Sequence, residues 1–130
     1  MILTESREDY LKAVYVLGKM SPGPVKSIRI AEYMNVTRAS TSVALKRLEK
    51  AGFVSRDADQ DVLLTPEGEE LAKRIYERHV FLAEFFKAIG VCPETAHQDA
   101  CHLEHGVSDE TFQQLKLFVN RTLYNKTPEA

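Results

Sequence analysis

Apolar residues at helical spacing open the chain. Tyr10, Val14 and Leu17 can share one face of a helix, and Thr4 or Ser6 can cap its N-terminus. The run SPGP that follows contains two prolines and a glycine, which end helices. The pattern therefore predicts a first helix with a buried stripe and a firm stop near Met20.

Two further short helices follow, joined by a tight turn. The second ends near Asn35, Thr37 caps the third, and the third stops at Gly52. Their inward positions are Ile30, Ala31 and Met34 in the second helix, and Thr41, Leu45 and Leu48 in the third. Two short helices with a tight turn and a basic second member are typical of a helix-turn-helix.

A β-hairpin is predicted directly after these helices. The runs FVSR, from Phe53, and VLL, from Val62, have strand character and flank the polar turn DADQD. Three helices followed by a hairpin are the element order of a winged helix. The same pattern also allows a helical bundle with an incidental hairpin.

The second half of the chain is predicted to be wholly helical. Pro66 opens a long amphipathic helix that reaches Gly90, Pro93 starts the next helix, and Ser108 caps the last one. The predicted fold class is therefore mainly α, with an N-terminal winged helix-turn-helix followed by an all-helical domain. We place the winged helix at 1–70 and the helical domain at 71–130.

Composition narrows the possible classes of protein. The 130 residues are 44% hydrophobic and 28% charged, and no apolar run approaches the ~20 residues that span a membrane. The N-terminus lacks the basic and apolar regions of a secretory signal, and Cys92 and Cys101 are the two cysteines. These features predict a cytoplasmic protein with reduced thiols and no membrane partner.

Charge is distributed unevenly along the chain. The formal net charge is −2, but positions 24–56 carry seven basic and two acidic residues, a local balance of +5. Positions 57–70 carry six acids and no base. A basic lobe followed by an acidic segment favours a polyanion such as double-stranded DNA as the partner of the winged helix.

One face of the third predicted helix suits DNA. Short side chains near its N-terminus allow close approach to base edges, and basic residues can bind phosphates. The predicted DNA-binding residues are Thr37, Arg38, Ala39, Ser40, Ser42, Val43, Lys46 and Arg47, with Arg56 on the wing.

Four side chains with metal-binding atoms share the stretch AHQDACHLEH. In a helix, His97, Cys101, Glu104 and His105 stand at i, i+4, i+7 and i+8, which places them on one stripe. A single such residue is typical of an ordinary amphipathic helix, in which a cysteine packs as a small hydrophobe. Four together favour a metal site, because desolvating these polar groups without an ion gains nothing.

Four segments and the order of elements resemble the diphtheria toxin repressor family, which includes iron- and manganese-dependent repressors. The segments are EDYLKAVY, RASTSVALKRLEKAGFV, LTPEGEELAKRIYERH and DACHLEHGVSDE, and the resemblance covers residues 5–123. In length the chain is similar to the manganese transport regulator branch. The resemblance implies a winged helix plus a helical dimerisation domain, and operator binding when a divalent metal is loaded.

The same resemblance implies a set of metal ligands, namely Asp9, His79, Cys101, Glu104 and His105. His97 matches a histidine of an ancillary site in the iron branch. The carboxylate expected four residues after His79 is replaced by Ala83, so Glu84 is the nearest alternative.

The chain departs from both branches of the family. The manganese branch has glutamate at the positions of Lys12 and Cys101, and the iron branch has methionine at the position of Asp9. Thiolate and imidazole ligands favour Fe²⁺, Co²⁺ or Zn²⁺ over Mg²⁺ or Ca²⁺, and the carboxylates keep Mn²⁺ in the set. We expect Fe²⁺ as the activator, with Mn²⁺ next. Lys12 is either a solvated lysine or a cation that replaces part of a second metal site.

The overall expectation is a metal-dependent repressor that binds a palindromic operator as a homodimer, controls metal-homeostasis genes and takes no small organic ligand. Apolar residues of the last three helices would form the dimer, among them Phe81, Phe85, Leu115 and Phe118. One alternative is a metal-independent winged-helix regulator that senses oxidants through Cys92 and Cys101. A small metalloenzyme and a plain interaction module are the others.

Overall fold

A computed structural model describes residues 3–122 of the chain. The elements are α1 (Glu5–Met20), α2 (Ser27–Met34), α3 (Arg38–Lys50), β1 (Val54–Arg56), β2 (Val62–Leu64), α4 (Pro66–Ala88), α5 (Pro93–Leu103) and α6 (Asp109–Thr122). The chain divides into two compact units, Met1–Tyr76 and Glu77–Ala130. The predicted fold class, a winged helix followed by helices, is confirmed.

Threonine side chains cap the N-termini of α1 and α3 in the first unit. The Thr4 hydroxyl oxygen accepts a hydrogen bond from the Arg7 backbone N–H at 3.2 Å, and the Thr37 hydroxyl oxygen accepts one from the Ser40 N–H at 3.0 Å. Each cap satisfies a backbone donor that has no partner within the helix. Asn35 ends α2 in the left-handed region, with φ 55° and ψ 50°. These local signals produce the tight turn of the helix-turn-helix.

The wing is a two-stranded antiparallel hairpin in which Val54 pairs with Leu64. The Asp57 carboxylate closes its turn by accepting the N–H groups of Asp59 and Asp61 at 2.9 and 3.0 Å. Gly68 allows α4 to begin against the wing, because a Cβ at this position would lie 1.9 Å from the Phe53 carbonyl oxygen. The wing and the start of α4 therefore pack backbone to backbone.

One apolar core holds the first unit together. Leu11, Ile30, Leu45 and Leu48 have no exposed surface, and Val54 and Val62 bring the wing into the same cluster. Most residues of the predicted stripes of α1, α2 and α3 belong to this core, and Met34 is half-buried at its edge. Ala31 and Thr41 are also buried. Burial of this kind contributes roughly 1.5–3 kcal/mol for each large side chain.

The second unit has a smaller apolar cluster and buried polar groups. Leu82, Ala83 and Ala100 form its cluster, with Phe86 and Leu115 packed against them. Arg78 is buried, donates to the Val107 carbonyl oxygen and the Asp109 carboxylate, and lies 5.0 Å from the Phe112 ring centroid. Arg78 thus connects α4 to the segment that leads into α6.

Helix α5 ends slightly before the end of the predicted helical stretch. The stretch is helical up to Leu103, and Glu104 caps the helix with φ −59° and ψ −24°. His105 lies in the following turn, where the Gly106 N–H donates to the Leu103 carbonyl oxygen at 3.0 Å and tightens the chain. The single-stripe prediction therefore holds for His97, Cys101 and Glu104, while His105 is placed by the turn. Among the helices within residues 3–122, none has the length and apolar composition that crossing a bilayer requires.

Candidate metal centre and nucleic-acid interface

His79 on α4 contacts one potential ligand on α5 and a second at the C-cap of this helix. Its Nδ1 atom lies 3.1 Å from Glu104 Oε2 and 3.7 Å from Cys101 Sγ. The ligand atoms of these three residues lie within 4.8 Å of one another. The structure therefore brings together one nitrogen, one sulfur and one oxygen donor from parts of the chain that are 22 and 25 residues apart.

Glu104 is the buried centre of this cluster, because its side chain has no exposed surface. One carboxylate oxygen faces His79, and the other, Oε1, lies 3.3 Å from His105 Nε2. The His105 side chain is itself 5% exposed. A buried carboxylate is costly unless a cation or hydrogen-bond donors compensate it.

The other ring nitrogen of His79 faces His97. His79 Nε2 lies 3.2 Å from His97 Nδ1, and the two rings stack with centroids 5.3 Å apart and an interplanar angle of 20°. His97 is exposed, whereas His79 is half-buried. His79 therefore has a buried side with Cys101 and Glu104 and an outer side with His97.

The donor spacing suits a transition-metal ion. Metal–nitrogen and metal–oxygen distances near 2.0–2.2 Å and a metal–sulfur distance near 2.3 Å put tetrahedral donors roughly 3.3–3.7 Å apart. The separations at His79 span 3.1–3.7 Å. Mixed N, S and O donors favour Fe²⁺, Co²⁺ or Zn²⁺ over purely oxygen-seeking ions. These residues fit the group that the sequence predicts.

The remaining residues of the metal prediction lie as follows. Asp9 and Lys12 are half-buried on α1 of the first unit. Ala83, at the position of the missing ancillary carboxylate, is buried in the apolar cluster of the second unit. Glu84 forms an ion pair with Lys87 at 2.5 Å.

Cys92 stands outside the donor cluster of the second unit. It is exposed at the N-cap of α5, and a hydrogen bond with the Thr95 hydroxyl at 3.2 Å lowers the pKa of its thiol. Cys92 can therefore serve as a matched control for Cys101.

The predicted DNA face of α3 is open to solvent. Arg38, Ala39, Ser40, Val43, Lys46 and Arg47 are exposed, and Ser42 is half-buried. Thr37 and Ser40 also form the helix cap, since the Thr37 hydroxyl donates to Ser40 Oγ at 2.9 Å. Polar and basic side chains thus share one exposed face opposite the buried Leu45 and Leu48.

Two basic residues form hydrogen bonds with the turn of the wing. The Arg56 guanidinium donates to the Gln60 carbonyl oxygen at 2.7 Å, which fixes Arg56 across the wing turn. Lys26 donates to Asp61 at 3.0 Å, and this hydrogen bond and the carboxylate charge raise the pKa of the lysine. Arg56 retains donors for a phosphate, because a guanidinium has five N–H groups.

Sequence reasoning missed two basic residues with defined surroundings. Arg78 connects α4 to the Val107–Asp109 segment, two to four residues after His105. Arg7 lines a groove beside α3, together with Arg47. Neither position carries a local signal, because both depend on how distant segments pack.

A basic winged helix and a buried cluster of N, S and O donors define a metal-regulated DNA-binding protein. Comparison with protein families agrees in both halves. Residues 2–62 match the N-terminal DNA binding domain of the iron dependent repressors, and residues 65–126 match their metal binding and dimerisation domain. The chain belongs to this family of metal-dependent transcriptional repressors, which confirms the resemblance found in the sequence.

Individual relatives extend the comparison. The uncharacterized HTH-type transcriptional regulator MJ0568 of Methanocaldococcus jannaschii is 33% identical, and the alignment covers 92% of this chain and 96% of that protein. The transcriptional regulator MntR of Salmonella typhimurium is 34% identical over 88% of this chain and 72% of its own length. The manganese regulator SloR has a similar structure, with a TM-score of 0.79 and 32% identity over 91% of this chain. This chain spans 55% of the SloR chain.

The comparisons also bear on the alternatives. The matched relatives and family models describe transcriptional regulators with metal-binding domains, so a metal-independent redox regulator is not favoured. The same descriptions disfavour a metalloenzyme.

Proposed function

We propose that this protein represses metal-homeostasis genes by binding a palindromic operator as a dimer when it is loaded with Fe²⁺ or Mn²⁺. The observation that carries the proposal is the partly buried contact of His79 with Cys101 and the buried Glu104, in a chain that also has a winged helix. When bound, the ion supplies positive charge that compensates the buried Glu104 carboxylate.

The proposed ligands are His79, Cys101, Glu104 and His105. Three of them share the cluster around His79 Nδ1, and His105 contacts the second oxygen of Glu104. Asp9 enters the ligand set through the family resemblance.

His97 adjoins this set through the outer nitrogen of His79. A neutral imidazole carries one N–H group, so an ion at Nδ1 would leave the N–H at Nε2 for His97. The family resemblance matches His97 to a histidine of an ancillary site, and the 3.2 Å separation also suits two ligands of one such ion. Counting the ions bound by His97→Ala separates the two roles: loss of one ion supports the ligand role, and an unchanged count supports the orienting role.

Fe²⁺ is the first candidate for the activating ion and Mn²⁺ the second. The Cys101 thiolate and the imidazoles favour Fe²⁺ on chemical grounds. The names of MntR and of the manganese regulator SloR point to manganese in those relatives. The donor set is therefore the reason for placing iron first.

Dimerisation through the second unit fits the exposed apolar side chains of this unit. Leu103, Leu117 and Phe118 are 43%, 44% and 61% exposed in the single chain. We assign the helical part after the winged helix, 71–130, to metal binding and dimerisation, and 1–70 to DNA binding. In a twofold dimer each α3 would read one half-site, which is why the operator should be palindromic. As a regulator of genes it would act in the cytoplasm, without a small organic ligand.

Selection of DNA from a random pool tests the proposal. The purified chain would be offered the pool with anaerobic Fe²⁺, Mn²⁺, Zn²⁺ or a chelator. We expect enrichment of a palindrome with Fe²⁺ or Mn²⁺ and none with the chelator. Glu104→Ala should abolish the effect of metal while the protein stays folded by circular dichroism. Equal enrichment with and without chelator would contradict the proposal.

A further inference from the structure

An open groove runs between the first turns of α1 and the exposed face of α3. Its volume is about 660 Å³, and its lining includes Ser6, Arg7 and Tyr10 of α1 with Ala39, Val43 and Arg47 of α3. All of these residues belong to the first unit. The groove thus adjoins the surface that the sequence assigns to DNA recognition.

The chemistry of the groove suits an anion. Its two charged lining residues, Arg7 and Arg47, are both arginines, and hydroxyl groups come from Ser6 and Ser40. Of the described residues that line it, none is acidic. Arginine presents a planar fork of N–H donors that matches phosphate oxygens.

The start of α1 holds Arg7 in place. The Arg7 backbone N–H is bonded to the Thr4 cap, and the neighbouring Tyr10 is 5% exposed in the apolar core. Arg7 is half-buried and lines the groove. A side chain that is already partly buried loses less conformational entropy when it binds than a fully solvated one.

The position beside α3 identifies the occupant. A helix of about 10–12 Å diameter fills a major groove about 12 Å wide, so the sugar–phosphate strands lie directly along both sides of the helix. A groove along one side of α3 is therefore where a backbone strand would pass. Phosphate contacts of this kind fix the position of a recognition helix on the duplex.

We propose that Arg7, together with Arg47, binds a backbone phosphate of the operator in this groove. The inference rests on the proposed function, because it requires that α3 enters DNA. It adds α1 to the DNA interface and assigns to Arg7 a role in affinity that does not depend on base sequence.

The salt dependence of DNA binding tests this role. Fluorescence anisotropy of the metal-loaded full chain with its selected duplex would be measured over a series of KCl concentrations for wild type, Arg7→Ala and Arg7→Lys. Each phosphate contact contributes about 0.9 to the slope of log K against log salt. Because a bound dimer carries two copies of Arg7, Arg7→Ala should lower the slope by about 1.8 and weaken binding roughly ten- to a hundredfold on specific and unrelated duplexes alike. Arg7→Lys should keep the slope.

Lys73→Ala is the matched control. Lys73 is exposed on α4 and does not line the groove. Its substitution by alanine removes one positive charge, as Arg7→Ala does. Thermal unfolding of each variant by circular dichroism would check its fold, and Arg7→Gln replaces Arg7→Ala if the latter is unstable. If Arg7→Ala has the slope and affinity of Lys73→Ala, the proposal is wrong.

Neutral methylphosphonate substitution locates the contact. Each phosphate of the duplex would be replaced in turn. At one position in each half-site, the replacement should weaken binding of the wild type but leave the affinity of Arg7→Ala unchanged. Equal losses for both proteins at every position would overturn the inference. Failure of the wild type to bind DNA with any metal would instead refute the proposed function.

Discussion

The two units of the molecule are stabilised by different means. In the first, large aliphatic side chains from three helices and the wing form one cluster, in which Leu11, Leu45 and Leu48 have no exposed surface. In the second, the described apolar cluster consists of Leu82, Ala83 and Ala100, while Arg78 and Glu104 are buried. Burial of apolar side chains is therefore the main source of stability in the first unit. In the second unit buried polar groups contribute more, and a bound metal ion would add to their interactions.

The largest expected effect concerns the core of the first unit. Leu45→Ala leaves a cavity among fully buried side chains and should lower the free energy of unfolding by about 2–5 kcal/mol. Because the cavity lies among apolar side chains that bind no ion, the loss should be the same with and without metal. Amide hydrogen exchange in α3 measures it. Val43→Ala, at a position 51% exposed, is the control and should change stability by less than about 0.5 kcal/mol. A loss that metal abolishes would break the contrast between the units.

Metal should stabilise the second unit by the next largest amount. An ion present at 100 times its dissociation constant adds about 2.7 kcal/mol to the stability of the state that binds it. Exchange protection in α5 should rise accordingly in wild type. Cys101→Ala removes one donor and should lose most of this gain, whereas Cys92→Ala, at the exposed N-cap, should keep it. Equal gains in the two variants would show that Cys101 is not a ligand.

Arg78 tests the polar part of the second unit without metal. Arg78→Met keeps the aliphatic length but leaves the Val107 carbonyl oxygen and the Asp109 carboxylate without this donor. Hydrogen bonds of a charged group are worth about 1.5–3 kcal/mol when partly buried, so urea unfolding should show a loss near this size. Arg74→Met, at an exposed position of the same helix, is the control. Matching unfolding curves would mean that Arg78 packs without stabilising the unit.

The smallest effect belongs to the ion pair between Lys26 and Asp61 on the first unit. The folded pKa of Lys26 is raised above 10.5, so the pair stabilises below that pH and its contribution is lost as pH rises through the folded pKa. The stability difference between wild type and Lys26→Met should therefore be small and should shrink in strongly alkaline solution. Lys50→Met, at an exposed position of α3, is the control for the loss of a lysine charge. A difference that grows with pH would have the wrong sign.

Local signals in the sequence account for most of the fold. Thr37, Asn35 and the buried Leu45 and Leu48 define the helix-turn-helix through capping and periodicity, and each is found where the pattern predicts it. Ser108 likewise caps the last helix through the Thr111 N–H at 3.2 Å. Such features depend on residues within about one helical turn of each other, so a single sequence contains them.

The candidate site was predicted less completely. Helical spacing alone aligned His97, Cys101 and Glu104, but His79 joined them through the family resemblance, since its contact with Glu104 spans 25 residues. The opposite orientations of the two His79 nitrogens, the Arg78 contacts and the groove at Arg7 depend on the packing of separate helices. Periodicity in a single sequence does not predict how these helices pack against each other.

The central claim is that metal and operator binding are coupled, and thermodynamic linkage tests it most directly. Calorimetric titration of Fe²⁺ or Mn²⁺ would be performed on the free protein and on the protein bound to its operator. If metal raises operator affinity by some factor, the operator must raise metal affinity by the same factor, commonly about 5- to 150-fold. We predict tighter metal binding in the DNA complex, matching the anisotropy result for wild type and absent in Glu104→Ala. Identical metal affinities in the free and DNA-bound wild-type protein would contradict the account.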